Sequence, residues 1–66
     1  MKTFAERLKE LRQEKGFSFE TLSKETGLSR SSLCRWENCQ STVNGEQLIV
    51  LAKYFNVTTD WLLGLE

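Results

Sequence analysis

Hydrophobic positions recur along this chain at intervals of three and four, the spacing of a helical stripe and not the alternation of a strand. Phe4, Leu8 and Leu11 form one stripe, and Leu48, Leu51, Ala52 and Phe55 form another. Polar capping residues punctuate the pattern. Ser18 stands between Phe17 and Leu22, Ser29 between Leu28 and Leu33, Asn44 between Val43 and Leu48, and Thr58 between Val57 and Leu62. Each is a helix N-cap flanked by an apolar residue before it and another four positions into the helix, a pair that closes over the first turn. Thr3 with Glu6, and Asn44 with Gln47, add reciprocal capping boxes.

The pattern predicts five short helices, over Phe4 to Glu14, Phe19 to Thr26, Arg30 to Glu37, Gly45 to Phe55 and Thr59 to Leu63. Gly16, Gly27 and Gly64 mark three of the stops. The best strand candidate, Gln47 to Leu51, holds an Ile-Val pair, but its apolar residues keep helical intervals, so no strand is expected. There is no internal repeat, linker or low-complexity segment. The expected architecture is all-α, one compact domain spanning residues 1–66. A chain of this length buries only ~60% of the surface its unfolded form exposes, so every apolar face must contribute.

Composition narrows the chemistry. Proline is absent and only four glycines interrupt the chain, which favours helices over a loop-rich, disulfide-stapled fold. Histidine is absent too, removing the commonest general base and leaving Cys34 and Cys39 without the further ligands that zinc requires. Free thiols, no metal and no cofactor are expected. An enzyme is disfavoured by the missing histidine, the lack of a carboxylate pair or a glycine-rich phosphate loop, and too little chain to enclose a substrate. No small-molecule ligand is evident. No apolar run approaches a membrane span. The start, Met1-Lys2-Thr3-Phe4-Ala5-Glu6-Arg7, is charged and helical in character and unlike a signal peptide, so a cytoplasmic protein is the expectation.

The informative segment is Phe19 to Glu37. Two helices are joined there by only Gly27-Leu28-Ser29, with the small Ser23 four positions before the glycine. Gly27 supplies a left-handed backbone, and the small side chain lets the third helix approach the second at a large angle. Leu28 and Leu33 then anchor the third helix from below and leave Arg30, Ser31, Cys34 and Arg35 on the outward face, with Ser29 at the cap. Two forked guanidiniums on such a face suit guanine O6 and N7 in the DNA major groove. The caps of the second and third helices add free N–H groups and a positive dipole end for phosphate oxygens. Against this, nine basic and nine acidic residues cancel to zero net charge, which limits non-specific affinity for nucleic acid.

From Phe4 to Gly64 the chain resembles the lambda-repressor-like helix-turn-helix family, the phage repressor, Cro and xenobiotic-response-element type. The residues that carry the likeness are Phe4-Ala5-Glu6-Arg7-Leu8-Lys9-Glu10-Leu11-Arg12, Gly27-Leu28-Ser29-Arg30-Ser31, Arg35-Trp36-Glu37, Leu51-Ala52 and Asp60-Trp61-Leu62-Leu63-Gly64. The resemblance implies a five-helix DNA-binding domain, with the second and third helices as the helix-turn-helix, acting as a dimeric transcriptional regulator, a repressor by preference, on a palindromic operator. It places Ser29, Arg30, Ser31 and Arg35 at base-facing positions and Asn38 and Gln40 in a loop that contacts the DNA backbone. Ser18 and Phe19, at the start of the second helix, fall where the backbone is also contacted. Double-stranded DNA and a second copy of the chain are the implied partners.

Four departures from the family pattern bear on this. Phe19 stands where the family usually has a phosphate-binding glutamine, and a phenyl ring cannot donate that bond; its main-chain N–H remains. Phe19 is otherwise a surface aromatic or a partner-contact residue. Cys39 replaces a usual glycine, so either a strained positive φ falls on Cys39 or that role moves to Asn38. Val43 replaces a frequent proline, and Gln40-Ser41-Thr42 lacks the expected basic residues.

Further expectations concern structure. Glu37 lies near a helix C-terminus, where the dipole disfavours a carboxylate, and the resemblance places it against Arg12; a structural ion pair is expected. Trp36 is expected at the edge of the core. Trp61, Leu62, Leu63 and Leu65 cannot all be buried by so short a final helix, so Trp61 and Leu65 are expected in a dimer contact. The competing function is a protein-interaction module of the same fold, antitoxin-like or regulator-binding, which the neutral charge, Phe19 and the poorly basic loop favour.

Overall fold

The computed structural model describes residues 3–66; Met1 and Lys2, where the expected domain and its charged amino-terminal stretch begin, lie outside the described residues. Five helices follow one another: α1 over Phe4–Glu14, α2 over Phe19–Thr26, α3 over Arg30–Glu37, α4 over Gly45–Phe55 and α5 over Thr59–Leu62. No strand occurs among the described residues. The last helix stops one residue short of the expected end, because Gly64 at φ +83 turns the chain immediately after Leu63.

Every helix begins with the same device. The Thr3, Ser18, Ser29, Asn44 and Thr58 side chains accept from the N–H groups of Glu6, Thr21, Ser32, Gln47 and Trp61. Glu6 and Gln47 complete two capping boxes by accepting from the main-chain N–H of Thr3 and Asn44. Each cap stabilises its helix by about 1 kcal/mol. Four helices also end alike. Phe17, Gln40, Val57 and Leu65 donate back to the carbonyls of Arg12, Arg35, Ala52 and Asp60, around a left-handed residue at Gly16, Cys39, Asn56 and Gly64.

These local devices deliver the core. Leu8, Leu22, Leu33, Leu51 and Leu62 are each fully buried, one from each helix. Leu22, Leu33 and Leu62 are the apolar residues four positions after a cap, so the signal that starts each helix also fixes its inward face. Ala5 and Ala52 let helices approach closely, and Trp36 is 2% exposed, a core residue and not an edge one. Its indole N–H donates to the Thr42 carbonyl at 3.3 Å. Helix α3 packs on both α1 and α2, while α5 closes over α1 and α4. No helix among the described residues is long and apolar enough to cross a membrane.

Candidate nucleic-acid interface

The turn between α2 and α3 sets the interface. Gly27 adopts φ +77 and its N–H donates to the Ser23 carbonyl at 2.8 Å. Ser23 is more than a small residue: its hydroxyl donates to the Leu28 carbonyl, tying the end of the turn back to α2. With Leu28 packed on the core and Leu33 and Trp36 buried, the opposite side of α3 is forced outward.

On that side, Ser18, Phe19 and Glu20 of the α2 start meet Arg30, Ser31, Cys34 and Arg35 of α3, with Gln40 beyond them, around one open concavity. Arg30 and Arg35 are exposed. Among the described residues, neither guanidinium has a hydrogen bond or ion pair, so both are available to an outside acceptor. The Phe19 and Glu20 N–H groups precede the first intrahelical bond of α2, which runs from Leu22 to Ser18. They present donors at a positive dipole end. The concavity therefore offers two free cations, two hydroxyls and helix N-terminal donors, a set suited to base edges and phosphate oxygens.

Two of the expected contact residues sit apart from this lining. Ser29 is exposed at the α3 cap, where its oxygen accepts from Ser32 N–H at 3.0 Å and lies 3.1 Å from the Ser32 hydroxyl. The Asn38 amide turns back on α3, donating to the Cys34 carbonyl at 2.9 Å, with Sγ at 3.4 Å. Conversely, the sequence reading did not single out Glu20. Its signal was its place next to Phe19, in the first turn of a helix whose N-terminus lines the concavity.

Beneath the concavity, Arg12 and Glu37 form a two-pronged ion pair, Nε to Oε2 at 2.7 Å and Nη2 to Oε1 at 3.0 Å. The remaining Nη1 donates to the Phe17 carbonyl at 2.8 Å. The hydrogen bond to Glu37 raises the Arg12 pKa against the opposing effect of burial. Phe19 lies over the guanidinium at 4.2 Å, so its ring covers the pair. The aromatic side chain at the family's glutamine position is thus used inward, locking α2 to the junction of α1 and α3. Cys39 takes the left-handed conformation, φ +58, while Asn38 keeps φ −97. Both cysteines are free.

At the other end of the molecule, Arg7 stacks on Trp61 at 4.3 Å and donates to the main-chain oxygens of Trp61 and Glu66. Trp61 is therefore half-buried beneath a cation, whereas Leu65 is 71% exposed.

Five capped helices, with the third held out by a tight turn from the second, are the architecture of a helix-turn-helix domain. Residues 5–66 match the family model described as a helix-turn-helix domain, and the chain belongs to that family. It is 36% identical over 63 residues to the HTH-type transcriptional activator BcrR of Enterococcus faecalis, covering 96% of this chain and 31% of that protein. It is 29% identical over 62 residues to the uncharacterized HTH-type transcriptional regulator YobD of Bacillus subtilis (strain 168), covering 94% and 55%. The chain thus spans about a third to about half of the length of these relatives. Among solved structures, the P22 c2 repressor in complex with synthetic operator 9T superposes with a TM-score of 0.89 at 27% identity, covering 100% of both chains. The restriction-modification controller protein C.AhdI from Aeromonas hydrophila gives 0.79 at 37% identity, covering 89% of each chain. The fold is therefore the lambda-repressor-like one.

Proposed function

We propose that this chain binds a specific double-stranded DNA site by laying α3 in the major groove, and that it does so as a homodimer on a palindromic operator, regulating transcription by occupancy, as a repressor. The observation that carries the reading is the concavity in which unpaired Arg30 and Arg35 stand beside the N-terminal donors of α2. Arg30 and Arg35 suit guanine edges, and Ser31 suits either base. The Phe19 N–H and Gln40 would hold the DNA backbone, and Ser18 would do so once its hydroxyl releases Thr21. Ser29 and Asn38 would join them only by giving up their present internal bonds. The likeness to a repressor solved with its operator supports the mode of binding.

One recognition helix reads only a few base pairs, so specificity calls for two copies on half-sites about 34 Å apart. Leu65, exposed beside the half-buried Trp61, is the apolar surface proposed to meet the second copy. Selection of binding sites from random duplexes tests the whole reading. Recovery of a palindrome with guanines in each half-site is the expected result, and an unenriched pool would overturn it. Leu65→Glu should shift the sedimenting species from dimer to monomer and weaken operator binding without lowering the melting temperature. A stoichiometric protein partner together with an unenriched pool would instead favour the interaction-module reading.

A further inference from the structure

We infer that Glu20 is a built-in brake on DNA affinity, a carboxylate that occupies the phosphate-attracting field of the α2 N-terminus and repels every duplex alike; the inference rests on the DNA-binding reading above. Glu20 lines the same concavity as Arg30 and Arg35, and it is the acidic residue among those lining it. It is the second residue of α2, in the first turn, where the helix dipole stabilises a negative charge. That field is the one a DNA phosphate would seek from the adjacent Phe19 N–H group. The side chain is 69% exposed and its nearest cation, Lys24, lies at the 4.0 Å limit of contact and is 76% exposed. A pair so solvated does not neutralise either charge. Phosphates entering the concavity therefore meet a resident anion.

The repulsion acts on the charge of the DNA backbone, which is the same for all sequences, so it sets absolute affinity and salt dependence and leaves sequence preference alone. This distinguishes it from base reading, in which a carboxylate accepts from a cytosine amino group.

The experiment is a titration of a fluorescent preferred duplex and a random-sequence duplex with wild type, Glu20→Gln and Glu20→Lys, across a range of salt. Glu20→Gln should tighten binding to both duplexes by the same factor, about two- to fivefold at low salt. Glu20→Lys should tighten it further and steepen the slope of log affinity against log salt by about one. Weaker binding of the preferred duplex by Glu20→Gln, with random DNA unaffected, would show base reading and overturn the inference. Unchanged binding to both would overturn it as well. If wild type prefers no duplex, the DNA-binding reading itself fails and this inference falls with it. Far-ultraviolet circular dichroism of the variants, expected to match wild type, separates these outcomes from misfolding.

Discussion

The Phe19 ring lies 4.2 Å from the Arg12 guanidinium, which is itself held by the Glu37 carboxylate on bonds of 2.7 and 3.0 Å. Three helices meet at this stack: α1 contributes the cation, α3 the anion and α2 the aromatic cover. The face of α3 that would meet DNA is oriented by it from behind.

Removing the cation alone should be costly. The Glu37 side chain is 4% exposed and that of Arg12 14%, so Arg12→Ala leaves a buried carboxylate without its partner. A loss of ~3–5 kcal/mol in urea denaturation is expected. Replacing both residues by apolar ones, Arg12→Met with Glu37→Leu, should restore much of it. A loss below about 1 kcal/mol for Arg12→Ala would show that solvent screens the pair.

Phe19→Gln should act in opposite directions on stability and binding. The glutamine loses the stacking over Arg12, destabilising the fold by ~1–2 kcal/mol. It gains a side-chain donor at the start of α2, so affinity for duplexes of any sequence should rise. Paired melting and binding measurements check both; weaker binding would mean that the ring's hold on α2 matters more to DNA than a phosphate donor.

Arg30→Ala and Arg35→Ala should each cost ~1–3 kcal/mol on the preferred duplex and relax base choice at one position. Both guanidiniums are free of internal partners, so the melting temperature should be unchanged. Equal losses on preferred and random DNA would assign the two arginines to phosphates.

Cys39→Gly should stabilise the protein. Cys39 is exposed and holds φ +58, a conformation that strains any side chain, and glycine relieves about 1–2 kcal/mol of it. The greater freedom of glycine in the unfolded chain offsets part, leaving a net gain of ~0.5–1 kcal/mol by thermal denaturation.

The single tyrosine provides a pH probe. Burial of the Tyr54 ring, and then its hydrogen bond to Glu25 Oε1 at 3.0 Å, raise its pKa above the ordinary 10.0. A pKa raised in the folded state means that the phenol form favours folding. Its contribution is complete below the unfolded value and disappears as pH rises through the higher folded one. Absorbance titration should give a midpoint above that of free tyrosine, and Glu25→Gln should lower it.

Much of this molecule is written locally. A cap, an apolar residue before it and another four positions after it determine where α2, α3, α4 and α5 begin, because each device is complete within six residues of chain. The buried face follows from the same spacing, and so do the outward positions of Arg30, Ser31 and Arg35, which the turn at Gly27 aims. What the linear pattern did not determine were relations between distant segments. Phe19 read as a surface aromatic or a partner-contact residue because the side chain it covers, Arg12, is on another helix. Trp36 read as an edge residue because the loop carbonyl of Thr42 that accepts its N–H comes close only in the fold. Glu20 drew no notice in the sequence because the concavity it lines exists only where α3 lies beside α2. Helix starts depend on neighbours in sequence, whereas the charge and cover at a surface depend on which helices are brought together, and that is settled by packing.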